Sequence, residues 1–142
     1  MTDVFDTEER SEIMRRVRSW DTKPELSIRR GLHAAGYRYR LHVKLLPGCP
    51  DIVLPRYRTA IQIRGCFWHG HSCRAGQKKP KSNSEYWNPK LERNRLRDTR
   101  NDRHLREQGW SLLVVWECEC LSSKRLHRQL RRIHTHLQGR LR

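Results

Sequence analysis

Apolar positions along the chain recur at two periods, and the switches between them outline a series of elements. In "TEERSEIMRRVRS" (7–19), Ile13, Met14 and Val17 fall at helical spacing on a segment of mixed charge, which predicts a helix carried as a loosely held arm within residues 1–20. In "DTKPELSIRRGLHAAGY", Asp21 or Thr22 caps a helix that begins near Pro24, with Glu25 in its first turn. Leu26, Ile28, Leu32 and Ala35 form its apolar stripe, and Gly36 stops it. "YRYRLHVKLL" alternates apolar with basic residues, as a half-buried strand or strand-like loop does, and "PGCP" turns the chain. "DIVLP" and "TAIQIRGC" read as two short strands in a hairpin-like pair joined by "RYR". Residues 74–88 are rich in Lys, Ser, Gly and Pro and predict a surface loop. "PKLERNRLRDTRNDRHLREQG" predicts a long helix with Pro89 in its first turn and Gly109 as its stop. The β-branched run "WSLLVVWECE" predicts a central strand. "SSKRLHRQLRRIHTHLQGRLR" predicts a basic amphipathic helix with Leu126, Leu130, Ile133 and Leu137 on one face. No repeat or linker divides residues 21–142, so one domain follows the arm. The order of elements predicts an α/β (α+β) fold, a central mixed sheet flanked by helices.

Composition narrows the partners. The chain has 142 residues, the size of one ordinary domain. Its 31 Lys and Arg stand against 15 Asp and Glu, a net charge of +16. A one-signed charge of that size favours a polyanion, with nucleic acid first and an anionic membrane second. No run approaches the roughly 20 apolar residues of a membrane-spanning helix. The start, "MTDVFDTEERSE", has neither a basic head nor an apolar centre, so a cytoplasmic location with reduced thiols is expected. Five cysteines in that setting point to metal rather than disulfides.

The chemistry concentrates in "GCFWHGHSC" (65–73). Cys66, His71 and Cys73 have the spacing C-x4-H-x-C, and a closed tetrahedral zinc site needs a fourth ligand, which Cys118 or Cys120 can supply. The alternative is that these cysteines are small buried hydrophobes. Asp51 opens the strand "DIVLP", and "IQIRG" puts Gln62 and Arg64 on the next strand. An acid facing a polar pair can hold Mg²⁺ against a phosphodiester, and it can equally cap a turn. His69 lies between the zinc-ligand candidates. It is a general base near neutral pH, oriented by a carboxylate such as Asp98, or else a surface residue or alternative ligand. Phe67 and Trp68 are either core or a wedge that unstacks base pairs. Lys90 and Asn94, four apart on the long helix, either read base edges or form a solvated face.

Together "MRRVRSWDTKPE", "LPGCPDIVLP", "GCFWHGHSC", "NPKLERNRLRD" and "GWSLLVVWECE" resemble the very short patch repair (Vsr) DNA mismatch endonucleases over nearly the whole chain. The resemblance implies a restriction-endonuclease-like fold acting as a monomer on double-stranded DNA with a T:G mispair. It implies an endonuclease that nicks one strand 5′ of the mispaired thymine left by deamination of 5-methylcytosine. A DNA polymerase and ligase then complete the repair, with functional coupling to mismatch-repair proteins. It further implies that Asp51 and the backbone carbonyl of Ile63 bind catalytic Mg²⁺, and that Glu25 at the edge of the site helps position a water. His69 would be the general base, held by Asp98. Cys66, His71, Cys73 and Cys118 would hold structural Zn²⁺. Phe67 and Trp68 would insert beside the mispair from one groove and Met14, on the DNA-contacting arm, from the other. Lys90 and Asn94 would contact the mispaired bases, while the basic C-terminal helix and the "RYR" arginines would touch phosphates. The chain departs from the family at Arg64, where the family carries histidine. Arginine can clamp a phosphate as a fixed cation but cannot accept a proton at neutral pH.

Overall fold

The structure, a computed structural model, describes residues 22–66, 71, 73 and 84–140, with residues 84–88 described by their backbone alone. The helix read at 7–19 lies outside the described residues. Helix α1 spans Lys23–Ala34. Thr22 caps it, its hydroxyl accepting from the Glu25 amide at 3.4 Å. The helix closes on Gly36 at φ +90°, where Tyr37 N–H reaches the Leu32 carbonyl and Gly36 N–H the His33 carbonyl, each at 3.0 Å. Glycine takes that left-handed turn without a Cβ clash. Ile28 and Leu32 are buried as expected. Ala35, read as part of the stripe, is exposed because it sits at the cap, past the last turn.

Among the described residues four strands make one sheet in the order β1-β2-β3-β4: β1 (Arg40–Leu41), β2 (Ile52–Leu54), β3 (Thr59–Arg64) and β4 (Ser111–Trp116). The first three are antiparallel neighbours, and β4 pairs parallel to β3. "YRYRLHVKLL" thus contributes only two ladder residues, the rest being loop. A single 3-10 turn, Pro55–Tyr57, makes the β2–β3 connection.

Alternation along the strands sorts the core into two layers. Ile52, Leu54, Ile61 and Val115 pack with Ile28 and Leu32 of α1 and with Ile133 and Leu137 of the C-terminal helix α3 (Ser123–Arg140). Val53 and Ala60 pack on the other side with Leu105 of the long helix α2 (Ser84–Glu107). The sheet is therefore sandwiched between helices, a mixed α/β architecture.

Two expectations are corrected. The β4 segment, read as central, is an edge strand among the described residues. Its apolar run reflects helix cover on both faces, and Arg132 of α3 caps the edge by donating to the Val114 carbonyl at 2.8 Å. The long helix begins at Ser84, so Pro89 lies inside it rather than in its first turn. This early in the helix, proline forfeits a single backbone bond, and the eighteen residues that follow carry the element.

Candidate active site and metal centre

Parallel pairing of β3 with β4 gathers the soft ligands. The register sets Arg64 beside Trp116, so Cys66 and Cys118, each two residues further on, leave the sheet side by side. The Cys118 amide donates to Cys66 Sγ at 3.4 Å, and the His71 amide to the Cys66 carbonyl at 3.0 Å. His71 Nδ1 lies 3.6 Å from Cys118 Sγ, and its ring stacks on Trp116 at 4.1 Å between centroids. Ligand atoms of Cys66, His71, Cys73 and Cys118 all lie within 4.8 Å of one another. A tetrahedral zinc with bonds of about 2.3 Å to sulfur needs ligand separations of about 3.8 Å, so the cluster has the right size for such an ion. Burial pushes the Cys66 thiol up to about 12 and the Cys118 thiol upward as well. A dication held among them would stabilise them as thiolates at neutral pH. Of the two cysteines left open by spacing, the structure puts Cys118 in the cluster. Cys120 packs against the main core, its thiol raised to about 11 chiefly by burial.

A second cluster forms at the same end of the sheet. Glu25, in the first turn of α1, is 2% exposed. His42 Nε2 lies 3.1 and 3.0 Å from its two carboxylate oxygens, and Arg29 Nη1 lies 3.1 Å from Oε2. Asp51 precedes β2, and its Oδ2 accepts from the Ile63 amide at 2.8 Å. Ligand atoms of Glu25, His42 and Asp51 also lie within 4.8 Å of one another. Burial pushes the Asp51 carboxyl up to about 6; the Ile63 amide opposes this, and the Glu25 charge adds to it. The Arg29 guanidinium offsets the Glu25 charge, and a bound cation would do the same for Asp51.

His42 was not singled out from the sequence. Its only signal is register. With Leu41 opposite Ile52, the next pair along the ladder is His42 and Asp51, and the His42 amide donates to the Asp51 carbonyl at 3.0 Å.

Arg64 points from β3 to α2. Its Nη2 donates to Asp102 at 2.6 Å, and its Nε lies 4.0 Å from Asp98. Asp102, also missed, sits one helical turn from Asp98, which a sequence reading of i and i+4 positions could have flagged as a pair. Further along α2, Lys90, Arg93, Asn94, Leu96, Arg97 and Arg100 line a cleft of about 490 Å³. Asn94 is buried, and its carboxamide oxygen accepts from Arg97. Arg58 of "RYR" donates to the Gln108 carbonyl at 2.9 Å and lies over the Trp110 ring at 4.3 Å, so it ties the hairpin to the end of α2. Met14, Phe67, Trp68 and His69 lie outside the described residues.

A family model for DNA mismatch endonuclease Vsr matches residues 2–75, a span that includes Glu25, Asp51, Cys66 and Cys73. The chain is 50% identical over 133 residues to the type II nicking enzyme V.XorIIP of Xanthomonas oryzae, covering 94% of this chain and 97% of that one. It is 44% identical over 137 residues to the type II nicking enzyme V.NmeAIP of Neisseria meningitidis, again covering 94% and 97%. To the DNA mismatch endonuclease Vsr of Escherichia coli it is 39% identical over 126 residues, covering 89% of this chain and 80% of that protein. With relatives matched along almost the full chain, the protein belongs to the Vsr family of DNA mismatch endonucleases.

Proposed function

We propose that the protein is a Mg²⁺-dependent endonuclease that nicks one strand 5′ of the thymine in a T:G mispair, opening very short patch repair of deaminated 5-methylcytosine. In this reading it acts as a monomer in the cytoplasm on nucleoid DNA. The arm at residues 1–20 and a single restriction-endonuclease-like domain at 21–142 grip the duplex. A polymerase and ligase follow, coupled to mismatch-repair proteins. The observation that carries the reading is the junction of the two clusters. Ile63, whose amide binds Asp51, is only three residues from Cys66 of the Cys/His cluster.

Asp51 and the Ile63 carbonyl hold the catalytic cation. In an extended strand the carbonyl leaves on the same side as the amide of its residue, and the Ile63 amide faces Asp51. When bound, the cation supplies positive charge to the phosphate as negative charge develops there. Glu25 orients water at the edge of the site. His69 takes the proton of the attacking water, and Asp98 orients its ring. Arg64, held on Asp102, presents a fixed cation towards the phosphate. Cys66, His71, Cys73 and Cys118 hold a structural zinc that stiffens the loop bearing Phe67, Trp68 and His69. Phe67 and Trp68 from one groove and Met14 from the other wedge open the mispair, which costs less to unstack than a matched pair. Lys90 and Asn94 contact the mispaired bases.

The test is a nicking assay with Mg²⁺ on duplexes that differ only at one pair: T:G, T:A, C:G and other mispairs. A single cut 5′ of the thymine in T:G alone supports the reading; equal cutting of all duplexes refutes the mispair assignment. A second reading, a mismatch-binding protein with little cleavage, is favoured by one observation. Asp102 and Asp98 neutralise Arg64, which stands where the family has histidine. Retained binding to T:G with no product over hours would establish it, and cutting confined to another mispair would mark a nickase of altered specificity.

A further inference from the structure

We propose that His42 is a third protein ligand of the catalytic cation, and that its nitrogen gives the site a preference for Mn²⁺ over Mg²⁺. The inference rests on the reading that Asp51 and the Ile63 carbonyl, beside Glu25, hold the cation of the nicking reaction.

The imidazole is aimed at the acids with unusual insistence. His42 has φ 49°, in the left-handed region that non-glycine residues seldom adopt. That conformation is costly for a residue with a Cβ and persists only where the surroundings enforce it. Here its amide is tied to the Asp51 carbonyl at 3.0 Å, and its ring sits against both Glu25 oxygens. The side chain is 10% exposed. Charge balance for Glu25 does not require this arrangement, because Arg29 already lies 3.1 Å from the same carboxylate.

The distances match a coordination edge. Ligands of an octahedral ion at about 2.1 Å stand about 3.0 Å apart when adjacent. His42 Nε2 is 3.0 Å from Glu25 Oε2, and the three donor atoms fit within 4.8 Å. A cation can therefore enter among them with small side-chain shifts and no movement of α1. His42 would bind through Nε2, with its proton on Nδ1.

Donor chemistry then sets the preference. The Asp51 carboxylate, the Ile63 carbonyl and water held by Glu25 suit Mg²⁺, which favours oxygen and sheds water reluctantly. One imidazole in the shell shifts relative affinity towards first-row divalent ions, of which Mn²⁺ keeps the octahedral habit and tolerance for oxygen that this donor set needs.

The experiment uses the full-length, zinc-loaded protein. Mn²⁺ binding is followed by the electron paramagnetic resonance of the free ion, and Mg²⁺ binding by calorimetry. Wild type should bind Mn²⁺ at least tenfold more tightly than Mg²⁺. His42→Gln and His42→Asn should lose tenfold or more in Mn²⁺ affinity, with Mg²⁺ affinity changed less than threefold. Equal losses for both ions would mean that His42 merely positions Glu25, and would overturn the proposal. A second readout needs no variant: pulsed resonance of bound Mn²⁺ should show coupling to a ¹⁴N nucleus. Its absence in wild type, or its persistence in His42→Gln, would overturn the assignment. The two readings fail separately. Mg²⁺-driven nicking of T:G without nitrogen coupling sinks the ligand and leaves the function. Coupling that is lost in His42→Gln, in a protein that cuts no duplex with either ion, sinks the function and leaves the ligand.

Discussion

Replacing Asp51 by asparagine should stabilise the cation-free protein at the same time as it abolishes nicking. The carboxyl is held in a largely buried position against Glu25, and its pKa rises from the ordinary 3.8 to about 6. A displacement of about two units corresponds to about 3 kcal/mol. Because the folded value lies above the unfolded one, the folded protein keeps a proton that the unfolded chain releases between these limits. Stability is therefore lost as pH rises from about 4 through about 6, and the full penalty applies above that window. Asparagine carries no charge, still offers an oxygen to the Ile63 amide, and can donate to Glu25 as a protonated Asp51 would. At pH 8 the variant should gain about 1 to 3 kcal/mol, or several degrees in Tm. The gain should vanish near pH 4. Thermal denaturation of zinc-loaded wild type and variant, in buffer without Mg²⁺ from pH 4 to 8, measures the difference directly, and acid effects on the zinc cluster cancel between them. Added Mg²⁺ should raise the wild-type Tm and leave the variant unmoved. A variant less stable than wild type at pH 8, or a gain that does not change with pH, would refute the account of Asp51 as a carboxylate that waits for a cation.

The other predictions are briefer. Cys118→Ser should lower zinc content and folding stability, whereas Cys120→Ser should leave bound zinc at one equivalent by mass spectrometry under native conditions; the reverse order would move the fourth ligand. Asp102→Ala should cost about 2 to 4 kcal/mol in urea denaturation, because it strips the closer partner from a nearly buried Arg64. Arg100→Ala, in the basic cleft of α2, should weaken binding to mispaired and matched duplexes alike and reduce the slope of log K against log salt by about one.

Local chemistry made part of this molecule readable from its residues. Thr22 and Gly36 bound α1 through contacts within a few positions of themselves, and the spacing of Cys66, His71 and Cys73 announces a soft-metal cluster before any fold is known. The fourth cysteine was ambiguous because Cys118 and Cys120 share one strand end, and only the parallel register of β3 and β4 separates them. The apolar run of β4 reported two covered faces, which an edge strand under helices shares with a central one. His42 and Asp102 escaped for related reasons. His42 owes its place to the β-ladder register with Asp51, and Asp102 to the packing of α2 against Arg64. The i, i+4 spacing of Asp98 and Asp102 marks a pair but does not name the guanidinium between them.

The end of β3 is where these separate costs are joined. Ile63 gives its amide to Asp51, Arg64 sends its side chain to α2, and Cys66 enters the Cys/His cluster. A strand end anchored at three sites within four residues has little freedom to rotate, since turning one residue would break bonds at the other two. Each anchor is unfavourable alone: a buried carboxyl beside another acid, a guanidinium drawn nearly out of water, and thiols that burial holds protonated. None of these groups would be retained for the stability of a cation-free fold, where apolar residues of equal volume would serve better. Their grouping at one strand end makes sense if cations occupy both clusters and β3 transmits the position of one to the other. Stripping metal from the Cys/His cluster should then weaken cation binding at Asp51 even where α1, α3 and their shared core stay folded.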